Sequence, residues 1–534
     1  MTRSFAFADL WELVAEQVPD REAVVCRDRR LTYGDLDERA NRLAAHLRAN
    51  GVRPGDHVGV YLTNGTEYLE TMLAAYKLRA VPINVNYRYV EDELRYLFAD
   101  AGVRAVVHDA EFADRMAAVR DDLPELAVAL AVGEDYEAAL AAADPAPAFE
   151  DRSSDDLYIL YTGGTTGMPK GVVWRQEDAF HSCIGGGDPA RLLGAITTPE
   201  GIVDRIAPEG SAAVFLPVAP LMHAAGQWTS LSWLFAGGKV VLLPGSLEPH
   251  AVWRTVAAEG VHMITIVGDA VARPLLDAWD EAGGYDVPTL FTIGSGGAPL
   301  SPTLRRRLQE ILPNLFLADG FGSSETGAQG TARMAADSDA RAAFAPMDDT
   351  TVVLDESLSP VAPGSETVGR VARTGHIPLR YHGDPEKTAA TFIEHDGRRW
   401  VVTGDMATVA EDGTINLLGR GSGCINTGGE KVFPEEVESV LRARSDVYDV
   451  LVVGAPDDRW GERVSAIVQP ADGSEPTADE LIDHCRAHLA GYKVPKTVTF
   501  VDHVVRSPAG KPDYRWAKAV VATDRSARSR RSGT

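Results

Sequence analysis

The sequence predicts an α/β fold built from more than one unit, and three observations carry that expectation. Between residues 8 and 108, segments with strand-like and helix-like apolar spacing follow one another by turns, the pattern of a parallel sheet covered on both faces. Beyond residue 350 the pattern changes to short strands broken by glycine turns, which suits a small antiparallel sheet or barrel. The chain has 534 residues, more than one hydrophobic core ordinarily spans.

In order along the chain, Thr32 is placed to cap a helix whose apolar positions Leu36, Ala40, Leu43, Ala44 and Leu47 recur at helical spacing, and Gly51 ends it. Strands are expected at 57–62, 81–85 and 104–107, with helices near 67–78 and 91–99 between them. The stretch 138–147, AALAAADPAP, reads as a low-complexity linker.

It delivers the chain to 161–171, YTGGTTGMPKG, set between the apolar runs LYILY and VVW. Four glycines and three threonines in a strand-to-strand loop offer backbone N–H groups and hydroxyls with little bulk, and Lys170 adds a point charge, a combination suited to a polyphosphate. The segment lacks the Gly-Lys-Ser/Thr ending of a Walker A loop, and Pro169 opposes a helix start there.

Residues 182–210, with Gly185, Gly186 and Gly187 and few periodic apolar positions, read as a long surface loop, either a lid or a disordered insertion. His223 follows a strand at 213–216 and precedes a helix. Further strands at 239–243 and 263–267 suggest a second parallel sheet, and a strand at 290–294 opens into SGGAPLS, where Gly296 and Gly297 leave backbone bare. Short strands at 351–354, 369–372, 399–402 and 414–418 form the antiparallel part. Pro434 and the acids after it suit a helix start, strands at 448–453 and 464–469 with a helix at 478–489 make an α+β module, and 525–534 reads as a disordered basic tail.

Lys plus Arg number 52 against 77 Asp plus Glu, a net charge of −25, which argues against nucleic acid or an anionic membrane as partner. Any polyanionic substrate must then be held by locally placed cations, since salt screens distant charge over about 8 Å. The four cysteines, Cys26, Cys183, Cys424 and Cys485, are scattered without disulfide or zinc spacing, as suits a reducing cytosol. The N-terminus carries acids within its apolar stretch, unlike a signal peptide, and no run approaches the roughly 20 apolar residues of a membrane span. A cytoplasmic protein is expected, with peripheral membrane contact and homodimerisation left open.

The loop at 161–171 resembles the phosphate-binding signature of the adenylate-forming ligases, the superfamily of acyl-CoA synthetases, firefly luciferase and peptide-synthetase adenylation domains. At least four further motifs follow in that family's order, so the resemblance runs from about residue 10 to Lys511. It implies a large N-terminal domain (1–419) of two βαβ-type subdomains and a small antiparallel β-barrel-like subdomain, a hinge at 420–423, a small mobile α+β C-terminal domain (424–520) and a disordered tail (521–534). By resemblance, Thr162, Gly163, Gly164, Thr165, Thr166, Gly167 and Lys170 grip the phosphates of ATP, and Gly296, Gly297 and Ala298 lie against adenine. Asp319, Gly320, Phe321, Gly322, Ser323 and Ser324 form the aromatic-Gly-x-Thr-Glu element, with Phe321 for the usual Tyr and Ser324 for the usual Thr. Glu325 then holds Mg²⁺, a hard cation wanting oxygen ligands. Asp405 takes the ribose hydroxyls, and Arg420 makes the second ribose and phosphate contact.

The same resemblance gives His223 the positioning and gating of the acyl carboxylate. It makes Lys511, in SPAGK, the adenylation lysine, and sets Gly428, Gly429 and Trp460 beside the pantetheine arm of coenzyme A. Gly423 departs from the Asp or Lys often found in the hinge. The implied activity is that of an ATP-dependent acid–thiol ligase forming an acyl-CoA through an acyl-adenylate. The stretches YTGGTTGMPKGVVWRQEDAF and GRGSGCINTGGEKVFPEEVE are most similar to fatty-acyl and steroid-side-chain CoA ligases, so a long-chain or steroid side-chain acid is the expected substrate. The alternatives are a carrier-protein-loading adenylation enzyme or acyl-AMP ligase, a luciferase-like oxygenase, and, from another class, a non-catalytic ATP-binding regulator.

Overall fold

The computed structural model describes residues 3–162, 168–190, 192–333, 343–427, 430–457, 459–506 and 511–531. Within them the chain forms three sheets. The seven-stranded sheet carries the hairpin of the candidate phosphate loop at one side. Its strands His57–Tyr61, Val81–Asn84, Val103–His108 and Val128–Ala131 run parallel, and Leu157–Thr162 joins Val81–Asn84 in the same sense. The next strand, Lys170–Arg175, turns back antiparallel on Leu157–Thr162. Local rules build this region well. Thr32 caps the helix Tyr33–Ala49 through a capping box in which its Oγ1 accepts from Asp35 N–H at 3.1 Å and Asp35 Oδ2 accepts from Thr32 N–H at 3.0 Å.

The second sheet has fourteen strands. Its parallel centre includes Val214–Pro217, Met263–Ile266, Thr292–Gly296 and Phe316–Ser323. From Phe316–Ser323 it continues without a break, through antiparallel pairs, into Arg398–Val409 and Ile415–Arg420. The antiparallel part expected beyond residue 350 is thus an extension of this sheet. Its other end gains the hairpin Glu22–Cys26 and Arg29–Thr32, where Val24 registers with Val240. The third sheet, five strands from Ile425–Thr427 to Thr497–Phe500, packs the helices Pro434–Arg442 and Ala478–His488 around its own apolar core.

Three expectations are corrected. The supposed linker at 138–147 is half helix, because Glu134–Ala142 buries Tyr136 and Leu140. The segment 182–210 is neither lid nor disordered insertion where described. Ile196 and Ile202 are buried in the main core, and the buried Asp188 carboxylate accepts from Leu193 and Gly194 N–H, at 2.5 and 2.9 Å. The tail expected to lack structure is helical to Arg531, as the end of Tyr514–Arg531, which seats Ala517 and Val521 against the third sheet. Among the described residues no helix is long and apolar enough to cross a membrane.

Candidate active site

The hairpin that carries the candidate phosphate loop pairs Thr162 with Lys170 across its mouth. Gly163, Gly164, Thr165, Thr166 and Gly167 lie outside the described residues, as do Gly428 and Gly429. Lys170 forms an ion pair with Asp384, which also caps the helix Pro385–Thr391 by accepting Lys387 N–H at 2.9 Å. Trp174, on the returning strand, donates its indole N–H to Ser324 O at 3.1 Å and so ties the hairpin to the turn that presents Glu325.

Glu325 follows the strand Phe316–Ser323. Ser323 Oγ accepts its N–H at 3.3 Å, and its own Oε1 accepts the Tyr381 hydroxyl at 2.9 Å. Gly296 ends Thr292–Gly296 in register with Gly320, and Gly297 turns the chain with φ +79°, a left-handed conformation that glycine adopts without strain. Ala298 continues that turn. Gly320 and Gly322 keep the strand thin here. Phe321 packs edge-on to Phe344 with centroids 5.0 Å apart and covers Gly330. The protein therefore engages one side of a ring expected to stack on the base. Asp319 is only 5% exposed; burial pushes its carboxyl up to about 7 against the opposing charge of Arg305. Its carboxyl belongs to the interior, and what it offers a nucleotide cleft is backbone.

Asp405 and Arg420 are register partners on adjacent antiparallel strands, with Arg420 Nε–H donating to Asp405 Oδ1 at 3.1 Å. Fifteen residues apart in sequence, they meet because one hairpin joins them. Lys511 arrives from the far end of the chain. An isolated bridge between Arg506 and Pro512 closes its loop, and Arg506 is anchored on Asp449 at 2.6 and 2.7 Å. Lys511 keeps a solvent-exposed surface, while protein atoms crowd its ammonium. That crowding, and after it the Arg420 charge, lowers its pKa below the usual lysine value, opposed by Glu325 and Asp405. Lys511 thus lies within electrostatic reach of three residues expected to hold the nucleotide.

His223 is the N-cap residue of the helix Ala224–Phe235. Burial, then the charges of Lys511 and Arg88, pulls its imidazole down to about 4, so it is neutral at pH 7. Its Nε2 is buried without a hydrogen-bond partner among the described residues, an open position for a polar ligand group. Asn84 sets both this turn and the phosphate hairpin. Its buried amide donates to Tyr161 O and Met222 O, each at 2.8 Å, and accepts Tyr161 N–H at 2.7 Å. Trp460 is 42% exposed at the turn before Gly461–Pro470, with the Arg459 guanidinium 4.5 Å from its ring centroid.

Sequence reading missed Tyr381, Asp384 and Lys387. The Asp-Pro pair at 384–385 is a readable helix start, but nothing local links it to Lys170 or Glu325. Asn84 falls within the strand expected at 81–85, without its clamp being foreseen.

No group of three or more His, Cys, Asp or Glu residues among those described could hold a metal by itself. Glu325 has one oxygen engaged by Tyr381 and offers the other. That fits a cation whose remaining ligands are phosphate oxygens and water.

A family model described as AMP-binding enzyme matches residues 11–377, and one described as AMP-binding enzyme C-terminal domain matches residues 436–511. The chain is 46% identical over 531 residues to the 3-oxocholest-4-en-26-oate–CoA ligase of Rhodococcus rhodochrous, covering 96% of this chain and 95% of that protein. It is 44% identical to the medium/long-chain-fatty-acid–CoA/3-oxocholest-4-en-26-oate–CoA ligase of Mycobacterium tuberculosis (strain ATCC 25618 / H37Rv), with coverage of 97% and 96%. Among solved structures, ATP-bound MatB from Rhodopseudomonas palustris superposes with a TM-score of 0.81 at 26% identity, covering 97% and 99% of the two chains. The anthranilate CoA ligase AuaEII in complex with anthranoyl-AMP shares the fold, with a TM-score of 0.84 at 21% identity and coverage of 98% and 99%.

Proposed function

We propose, from the premise that this chain belongs to the AMP-binding enzyme family, that it joins a hydrophobic carboxylic acid to coenzyme A at the expense of ATP. The acid is a long-chain fatty acid or a steroid side-chain acid. Two relatives above 40% identity are named for such substrates. In the first half-reaction a carboxylate oxygen bonds to the α-phosphorus of ATP while the bond to pyrophosphate breaks. In the second the thiol sulfur bonds to the acyl carbon and AMP leaves. The products are acyl-CoA, AMP and pyrophosphate.

The observation that carries the reading is Lys511, a cation from the C-terminal end of the chain, set among Glu325, Asp405 and Arg420 and close enough to His223 to lower its pKa. In this reading Lys511 bridges the carboxylate and the α-phosphate, and Arg420 with Asp405 holds the ribose. Neutral His223 turns its unpartnered Nε2 to the acyl carboxyl group. Little covalent work falls to the protein, so the rate comes from alignment and from charge placed where charge develops. Glu325 would hold Mg²⁺, which when bound supplies neutralisation of phosphate charge. The loop at 163–167 contributes further phosphate contacts.

For the second half-reaction, residues 424–520 act as a lid that turns about 420–423, withdraws Lys511 and brings Gly428, Gly429 and Trp460 to the pantetheine arm. The arrangement described is then the adenylation state. Arg273 stacks on Tyr448 at 4.4 Å and Thr303 Oγ1 donates to Ala443 O at 3.3 Å, contacts the turn would break.

Pyrophosphate release measured across acetate, long-chain fatty acids and steroid side-chain acids, with coenzyme A present, tests the proposal. Release with the large acids accompanied by thioester formation is expected. No release with any acid would overturn it, and a thioester formed on a carrier protein but not on coenzyme A would redirect it.

A further inference from the structure

The helix Pro385–Thr391 brings one more cation to the cleft, and the proposed chemistry has not used it. Lys387 is half-buried on the first turn. Among the described residues its ammonium makes no ion pair and no hydrogen bond; it rests over the Tyr381 ring, 4.3 Å from the centroid. That same Tyr381 donates its hydroxyl to Glu325, so one phenol is flanked by Glu325 at its oxygen and Lys387 at its face. Asp384 fixes the helix from the other side, pairing with Lys170 on the phosphate hairpin while capping Lys387 N–H. Neither contact consumes the Lys387 charge.

Four cations, Lys170, Lys387, Arg420 and Lys511, act on one another or on shared neighbours here, among the carboxylates Asp100, Glu325, Asp384 and Asp405. Elsewhere the acids prevail, since the whole chain carries −25. Burial, and after it the Lys170 charge, lowers the Lys387 pKa below the usual lysine value, outweighing the opposing charges of Glu325 and Asp384. An ammonium without an ion pair among the described residues, set between the hairpin that bears Lys170 and the candidate metal-binding carboxylate, is placed to meet a polyanion.

We propose that Lys387 contacts the outer phosphates of ATP and the departing pyrophosphate, as a second phosphate lysine beside Lys170. The assignment rests on the adenylation reading above. When the bond between the α-phosphorus and the bridging oxygen breaks, its electron pair leaves with pyrophosphate, and an adjacent ammonium stabilises that growing charge. Lys387 has no place in the second half-reaction, which contains no pyrophosphate. Tyr381 is the positioning residue that holds Lys387 and Glu325 at a set separation.

The test uses the full-length enzyme and its Lys387→Met and Lys387→Arg variants, with ATP–pyrophosphate exchange measured at a saturating acid. Loss of one charge-assisted phosphate contact should raise KM for pyrophosphate and for ATP about tenfold or more in Lys387→Met. Lys387→Arg should restore most of the loss. Thioester formation from supplied acyl-adenylate and coenzyme A should proceed at the wild-type rate in both variants. That separates a phosphate contact from a general structural role. Unchanged KM values in Lys387→Met, or equal losses in both half-reactions, would overturn the assignment. Failure of wild-type enzyme to exchange pyrophosphate with any acid would instead overturn the adenylation reading on which it rests.

Discussion

Replacing Glu435 by Gln should stabilise the described arrangement at pH 8 and do little at pH 5. Glu435 stands in the first turn of Pro434–Arg442, where its carboxyl is pressed against Gly419, accepts Arg420 N–H, and leaves Oε2 buried without a partner among the described residues. Gly419 has φ +128°, and a Cβ there would sit 2.1 Å from Glu435 Oε2, so only glycine admits this contact. Burial, then the neighbouring Glu438 charge, pushes the Glu435 carboxyl up to about 7 from 4.5. A raised acid pKa means that the packed state binds the extra proton. Its stability is therefore highest below pH 4.5 and declines as pH rises towards 7, with the full cost present above that.

At about 1.4 kcal/mol per pKa unit the cost reaches about 3 kcal/mol at pH 8 and is below about 1 kcal/mol at pH 5. Gln cannot ionise and removes the pH-dependent part. Calorimetric melting of full-length wild type and Glu435→Gln at both pH values measures it. The variant should melt higher at pH 8, with the gap nearly closed at pH 5. An equal gap at both pH values would refute the argument, because a packing effect of the substitution has no reason to follow a proton.

Three further outcomes are expected. Lys511→Ala should slow adenylate formation by about 10²-fold or more while leaving thioester formation from supplied acyl-adenylate intact; equal loss in both would remove the role given to Lys511. Asn84→Ala should cost about 1–3 kcal/mol in stability, since it leaves buried backbone groups of Tyr161 and Met222 unpaired. It should also lower adenylation more than thioester formation; a variant that melts and adenylates like wild type would show that the clamp is idle. A Cβ at Gly423 meets nothing within 4 Å, so Gly423→Ala should be tolerated, whereas Gly423→Pro should retain adenylation and slow overall turnover by fixing one backbone dihedral of the turn Gly421–Gly423. Normal turnover by the proline variant would take Gly423 out of the hinge.

Much of this protein is written in local signals, which is why a single sequence discloses it. A capping side chain three residues from its partner places the helix after Thr32, and Pro434 with its following acids places the helix after 433. Alternating apolar spacing marks the parallel strands, and the composition of 161–171 is what suggests a phosphate-binding loop there. The proposed site residues Glu325, Asp405, Arg420 and Lys511 could likewise be singled out, each within a short recognisable stretch. Helix, strand and turn preferences act over a few residues, and so do these motifs.

Tertiary structure alone decided what pairs across long separations. Lys170 meets Asp384 from 214 residues away, Asn84 grips Tyr161 and Met222 at separations of 77 and 138, and the hairpin 22–32 joins the strand Lys239–Leu242 rather than its sequence neighbours. The seat of Lys387 over the Tyr381 ring and the buried carboxyl of Glu435 emerge only there. The pKa of an ionisable group depends on the charges and the burial around it, and the sequence states neither until the chain has closed on itself.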